Sequence, residues 1–281
     1  MIIAAAGDER MLTVCGLFAK EGAECRLLAS EGAFEPPRGL PFFASDDTEK
    51  CFCGADAAVL PFPAFKNGLL NAPLCKKAYT PEEVFAQAGS AFVLGGGLPE
   101  GADLFYDYAR DEKLLLENAL ITAEGAVYVL MQSVKRTVCG MKTAVAGSGR
   151  IGRALAEKLF ALGAEVSVLA RDPKARAEAR ARGYKAAGFE DLEAPLSGAG
   201  VLFNTVPRRV FGRGALSALP EGARYIELAS APGGAAREDA YGCGLEYIAA
   251  PGLPGKYAPV SAGEALFRCV KGVLRERGII R

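Results

Sequence analysis

The amino-acid sequence predicts an α/β protein of two doubly wound domains joined by a long helix, and three observations predict it. Short apolar runs alternate with helical patterns through the first hundred residues. The same alternation resumes after residue 140, and an apolar, helix-period stretch lies between. Strands alternating with helices imply parallel sheets covered on both faces. A length of 281 residues fits two ordinary domains, and 51% hydrophobic against 23% charged residues is enough to fill their cores.

Taken in order, residues 2–6 read as a strand and 10–20 as a helix, with Met11, Val14, Leu17 and Phe18 on one face. Residues 24–29 and 57–60 are further strands, the second stopped by Pro61 and Pro63. The runs 76–79, 91–94 and 103–106 read as three more. Residues 81–88 form a helix, with Thr80 as its cap and Glu83 three residues on, a capping box. A helix over 122–136 comes next, with Thr122 at its N-cap, Glu124 near its positive end and Val127, Leu130, Met131 and Val134 on its apolar face. Beyond it the pattern predicts a strand at 142–146, a helix at 150–162, a strand at 165–170 and a helix at 173–182. Strands at 201–205, 224–228 and 245–249 and a closing helix from residue 262 complete the reading. The expected division is a flavodoxin-like α/β domain over 1–120, completed by the helix 262–281, and a second domain over 121–261. The helix over 122–136 would cross from one domain to the other and leave the active cleft at their junction.

Charge and composition narrow the function. Lysine plus arginine (33) equals aspartate plus glutamate (33), so the basic excess of a general polyanion binder is missing and nucleic acid is not an expected partner. Apolar runs such as 57–60 and 126–131 are far shorter than the ~20 residues that span a bilayer. The N-terminus has no basic region ahead of its apolar run and reads as a buried strand. A soluble, intracellular protein is expected. Histidine is absent, which excludes a histidine base, a Ser-His-Asp triad and the usual zinc sites. The eight cysteines are scattered among apolar neighbours without a Cys-x-x-Cys, as small buried hydrophobes in a reducing compartment would be, and no metal site is expected.

The strand at 142–146 runs into Gly147-Ser148-Gly149-Arg150-Ile151-Gly152, and an Ala/Leu-rich helix follows. This is G-x-G-x-x-G between strand and helix, the fingerprint of a Rossmann dinucleotide-binding domain. Gly147 makes the tight turn, Gly149 admits the pyrophosphate to the backbone, and Gly152 lets helix and strand pack closely. The helix N-terminus then stabilises the anion. The next strand ends in Arg171 and Asp172 where an NAD site carries an acid for the ribose hydroxyl. Arginine there suits the 2′-phosphate of NADP by charge and bidentate geometry, while NAD held by Asp172 is the alternative. Two later strand ends, with Asn204-Thr205-Val206-Pro207 and Ala229-Ser230, and the turn Pro251-Gly252, are expected to wall the nicotinamide half of the site.

These motifs occur in an order that resembles a known family. Gly7-Asp8-Glu9-Arg10, Asn118 with Thr122-x-Glu124-Gly125, the nucleotide turn, Asn204-Thr205-Val206-Pro207, Leu228-Ala229-Ser230-x-Pro232-Gly233-Gly234 and Ala250-Pro251-Gly252-Leu253-Pro254-Gly255 together resemble the A-type subunit of dipicolinate synthase. The resemblance runs from residue 2 to the final helix. It implies an oxidoreductase that converts a dihydrodipicolinate-level intermediate to pyridine-2,6-dicarboxylate. It also implies a flavoprotein-like partner, the B-type subunit of that enzyme, and expression in the mother cell during sporulation. The chain departs from the family at Arg208-Arg209, where the family is apolar, and at Val260-Ser261, which replaces a Lys-Thr-like pair.

Aromatising a dihydropyridine removes one hydride and one proton, so the protein's tasks are positioning and electrostatics. Glu124, Asp8 and Lys256 are the candidates for handling the proton. The dianionic substrate needs cations and N–H donors: Arg10, Lys256 and the backbone from Ser230 to Gly234, Gly233 included, are candidates, with Gly7, Thr122 and Ser261 beside them. Self-association into a homo-oligomer is a further expectation. Two other readings fit parts of the pattern: a shikimate- or methylenetetrahydrofolate-dehydrogenase-like NADP enzyme, and a non-catalytic NADP-binding regulatory protein.

Overall fold

The computed structural model describes residues 1–35, 39–99 and 103–280, so the last residue of the expected closing helix lies outside it. From the N-terminus the chain forms β1 (Ile2–Ala6), α1 (Arg10–Lys20), β2 (Glu24–Leu28), β3 (Phe42–Ser45), α2 (Thr48–Phe52) and β4 (Ala57–Val59). A two-stranded hairpin, β5 (Phe65–Lys66) with β6 (Leu69–Leu70), precedes α3 (Pro81–Ala88), β7 (Phe92–Gly95) and β8 (Phe105–Asp107). Helix α4 (Glu112–Ser133) leads to β9 (Lys142–Ala146), α5 (Arg150–Ala161), β10 (Glu165–Leu169), α6 (Pro173–Ala181) and β11 (Lys185–Ala187). After them come α7 (Glu193–Leu196), β12 (Val201–Asn204), α8 (Arg213–Leu216), β13 (Arg224–Glu227), α9 (Arg237–Gly242) and β14 (Glu246–Ala249). Helices α10 (Leu253–Tyr257) and α11 (Pro259–Glu276) close the chain.

The chain divides into two compact units, Met1–Asn118 with Pro254–Arg281 and Ala119–Leu253. The first holds a parallel sheet of order β3-β2-β1-β4-β7-β8. Where a flavodoxin-like domain is expected from sequence, the strands β2-β1-β4-β7-β8 are extended past β2 by β3, which gives the order of a Rossmann sheet. Strand β3 has no clear sequence signal because only Phe42 of its four residues is buried. Helix α11 packs on α1: Phe18 and Phe267 meet edge to face at 4.7 Å, and Ala265, Leu266, Val270, Val273 and Leu274 complete the core. A Cβ on Gly263 would stand 2.6 Å from the Arg10 carbonyl, so the backbones of the two helices approach closely there.

The run 76–79 is not a strand. Residues 76–78 are exposed and only Tyr79 is buried, so no face is available to pack. Tyr79 anchors the segment instead, donating its hydroxyl to the Asp46 carbonyl at 2.6 Å. Helix α3 does start with the expected capping box. Glu83 N donates to Thr80 Oγ1 at 3.3 Å and Thr80 N donates to Glu83 Oε2 at 2.7 Å. Thr80→Ala should cost about 1 kcal/mol, read as a lowered urea midpoint at unchanged slope.

The helix expected from Thr122 begins ten residues earlier. Residues 112–121 are helix formers without glycine or proline, and Asp111 caps them by accepting from Leu114 N at 2.8 Å. Thr122 is therefore buried in mid-helix and Glu124 is two turns from any helix end. Helix α4 is long and apolar enough to cross a membrane by length and composition, but half of that window is buried inside the fold, as in a core helix.

The second unit's parallel sheet has the order β11-β10-β9-β12-β13-β14. Buried Val145, Val166, Val168, Val201, Phe203 and Ile226 pack one face against α4 and α5. The strand order reverses between β10 and β12 on either side of β9, the position where open α/β sheets bind ligands.

Candidate functional site

The turn after β9 meets the demands of a dinucleotide site atom by atom. Gly147 has φ 103°, and a Cβ on it would lie 2.2 Å from Thr205 Oγ1. A Cβ on Gly152 would lie 2.1 Å from the Gly147 carbonyl oxygen, so α5 reaches β9 only because this residue is glycine. Gly149 differs: its φ is −73°, and a Cβ there would meet nothing within 4 Å. No protein atom accounts for a glycine at 149, and the space beside it is open for a ligand. The first helical bond runs from Arg153 N to Gly149 O, so the N–H groups of the first turn of α5 point towards that space. Ser148 and Ile151, half-buried, complete the turn. The residues present fit a bound pyrophosphate.

At the end of β10, Arg171 is exposed, and Asp172 caps α6 by accepting from Lys174 N at 2.9 Å. Arg176 holds the loop, donating from Nη1 to the carbonyls of Ala170 and Arg171 at 2.8 and 2.7 Å. Asp172 thus has a structural task of its own, while the Arg171 side chain has no ion-pair partner among the described residues.

The loops after β12 and β13 are fastened together by Glu227, a residue that sequence reasoning treats as an ordinary strand end. Its buried carboxylate accepts from Asn204 Nδ2 (2.6 Å), Ala229 N (3.0 Å), Tyr225 OH (3.1 Å) and Gly234 N (2.7 Å). The available signal was a charged residue between Ile226 and Leu228 on a strand buried on both faces. Asn204, expected at the cofactor, is fully buried and also exchanges bonds with Val206, so its amide is committed to the frame. Thr205 donates to the Ala146 carbonyl at 2.7 Å and Val206 packs beside Gly147. Pro207, Ser230, Pro251 and Gly252 are exposed around this end of the sheet, and Gly233 is buried against Glu227. Glu124 pairs with Lys158 of α5 at 2.8 Å on the surface of the same unit, and Gly125 next to it allows Leu253 to pack on α4.

In the first unit the structure gathers Gly7, Asp8, Arg10 and the helical turn Gly255-Lys256 of α10. Gly7 has φ 150°, and a Cβ on it would press on Met11 and Pro61. Arg10 grips Asp8 with two donors, Nε to Oδ1 at 2.8 Å and Nη2 to Oδ2 at 2.8 Å, and reaches the Phe62 carbonyl at 3.3 Å. None of these bonds uses Nη1. A Cβ on Gly255 would fall 2.6 Å from Asp8 Oδ2, so the turn lies directly on the ion pair and carries exposed Lys256 beside it. Ser261 is exposed in the first turn of α11.

The cysteines are free. Cys15, Cys25 and Cys51 are buried, and burial pushes the Cys51 thiol up to about 12 and the Cys75 thiol up to about 11, so both stay protonated. No group of three metal-ligating side chains occurs among the described residues.

The family of D-isomer specific 2-hydroxyacid dehydrogenases matches residues 122–240 with its NAD-binding domain. The A-type subunit of Bacillus subtilis dipicolinate synthase is 31% identical over 169 residues, which is 60% of this chain and 57% of that protein's length. The crystal structure of the corresponding protein from Bacillus halodurans covers 97% of both chains at 25% identity, with a TM-score of 0.82. This chain is similar to the A-type subunit of dipicolinate synthase. An L-alanine dehydrogenase shares the fold more distantly, at 14% identity and a TM-score of 0.63, covering 99% of this chain and 91% of its own. The domain carrying the Gly147 turn is thus an NAD-binding domain of dehydrogenase type, in a chain whose two α/β units match that dipicolinate synthase protein in fold.

Proposed function

We propose that this chain is the dehydrogenase subunit of a dipicolinate synthase, oxidising a dihydrodipicolinate-level intermediate to pyridine-2,6-dicarboxylate with NADP. The observation that carries the reading is the open space at Gly149 above the α5 N-terminus, in a chain similar in fold to a dipicolinate synthase A-type subunit over 97% of its length. A bound nicotinamide would supply the hydride acceptor. The protein's own work is to hold two carboxylates and to take one ring proton. Arg10, steadied by Asp8 and with Nη1 outside that pairing, and exposed Lys256 provide the cations. Asp8 or Glu124, directly or through water, receives the proton. The same reading includes a flavoprotein-like B-type partner, a cytoplasmic location in the mother cell during sporulation, and self-association.

The reading is tested by following reduced nicotinamide when purified protein receives NADP and a freshly generated dihydrodipicolinate precursor, with and without the B-type partner. Aromatic product formed in step with NADPH is expected. Nucleotide binding without turnover in either mixture would favour a regulatory protein instead. Lys256→Ala should raise the apparent Michaelis constant about tenfold, the loss of one charged contact, with turnover within about twofold.

The commitment of Asp172 to capping α6, with Arg171 exposed beside it, supports NADP rather than NAD in this reading. Arg171→Ala should weaken NADP about tenfold or more in a calorimetric titration and leave NAD within about twofold, as befits loss of a charge-assisted contact. Equal affinities of the unmodified protein for both cofactors would remove the assignment.

A further inference from the structure

The pair Arg208-Arg209 stands on a short arch whose two feet are both fixed. At one foot Thr205 donates its hydroxyl to the Ala146 carbonyl at 2.7 Å, and Thr205 and Val206 crowd the Cβ position of Gly147. At the other, the N–H groups of Val210 and Phe211 both donate to the Gly234 carbonyl, at 2.9 and 3.0 Å. Gly234 is itself held by Glu227. Between the feet, Pro207, Arg208 and Arg209 are exposed, and proline restricts the path further. Two cations are thereby displayed on a rigid support next to the nucleotide turn.

Their surroundings separate the two arginines. Neighbouring cations are occupied: Arg213 pairs with Asp239 at 2.8 Å, and Arg237 lies over the Tyr247 ring at 5.2 Å. Arg209 acts electrostatically on Tyr225 and Tyr247, which places its charge towards β13 and β14. Arg208 has no ion-pair partner among the described residues. Strands β10 and β12 flank β9 on opposite sides, about 10 Å apart at the usual strand spacing. Arg171 follows the first and Arg208 the second, so the loops that carry the two arginines flank the crevice at the end of β9 on opposite sides.

We propose that Arg208 is a second specificity residue for the 2′-phosphate of NADP, forming with Arg171 a two-sided clamp on that phosphate. The inference rests on the NADP reading above. A phosphate dianion offers three oxygens, enough for one bidentate arginine and a second donor from the other side. An unphosphorylated ribose offers neither charge nor the extra acceptors, so Arg208 should matter little to NAD.

Calorimetric titration of the full chain with 2′,5′-ADP and with ADP tests this. The unmodified protein should bind 2′,5′-ADP at least tenfold more tightly than ADP. Arg208→Ala should lose most of that preference while keeping ADP affinity within twofold, and Arg171→Ala should do the same. Arg208→Lys should recover part of it, and Arg209→Ala should leave the preference standing. An unmodified protein that binds both probes equally would overturn the NADP reading and the clamp together. A strong preference unchanged in Arg208→Ala would overturn the clamp alone. Equal weakening of both probes in Arg208→Ala would also overturn it, because the arginine would then be serving the pyrophosphate.

Discussion

Gly152→Val should abolish dinucleotide binding, with an affinity loss beyond about a hundredfold. The Cβ alone would stand 2.1 Å from a backbone carbonyl, that of Gly147, and backbone cannot swing aside as a side-chain tip can. Helix α5 must then move off β9, taking with it the N–H groups that receive the pyrophosphate. Gly149→Ala is the informative contrast. Its added methyl meets no protein atom within 4 Å, so the thermal midpoint should hold while nucleotide affinity falls at least tenfold. Thermal unfolding and nucleotide titration of both variants separate the two effects. A Gly149→Ala protein that binds nucleotide normally would mean that the open space there is not the pyrophosphate seat.

Glu227→Ala should be strongly destabilising, costing about 3 kcal/mol or more. Four donors converge on this buried carboxylate, and removing it leaves Asn204, Tyr225 and two backbone N–H groups to find water or go unpaired. Glu227→Gln keeps one acceptor oxygen and should cost less, about 1–2 kcal/mol. Urea denaturation at constant slope measures both. An alanine variant within about 0.5 kcal/mol of the parent would show that the two loops hold each other without this anchor.

What is legible in the sequence follows from what each residue is asked to do. Strand β1, helix α1, strand β9 and helix α3 fall where periodicity and capping put them, because alternation, turn glycines and Thr80 act locally. The nucleotide turn is legible because its glycines answer backbone demands that no other residue meets. Thr122 misleads because a threonine followed by an acid is a cap only if the chain before it is not already helical. Residues 112–121 are helical, and Asp111 holds the cap. Asn204 looks like a cofactor ligand because it ends a strand at the right edge, yet the neighbour that engages it, Glu227, lies 23 residues away. In the sequence Asp8 and Arg10 are two separate candidates, and only the three-dimensional turn shows that each is the other's partner.

The most direct test of the account is a crystal structure of the full chain grown with NADP. It predicts the pyrophosphate on the N–H groups of Ile151 and Gly152 with Gly149 beneath it, and the 2′-phosphate in contact with Arg171. Density for NADP elsewhere in the molecule, or a 2′-phosphate turned to solvent away from Arg171, would contradict it.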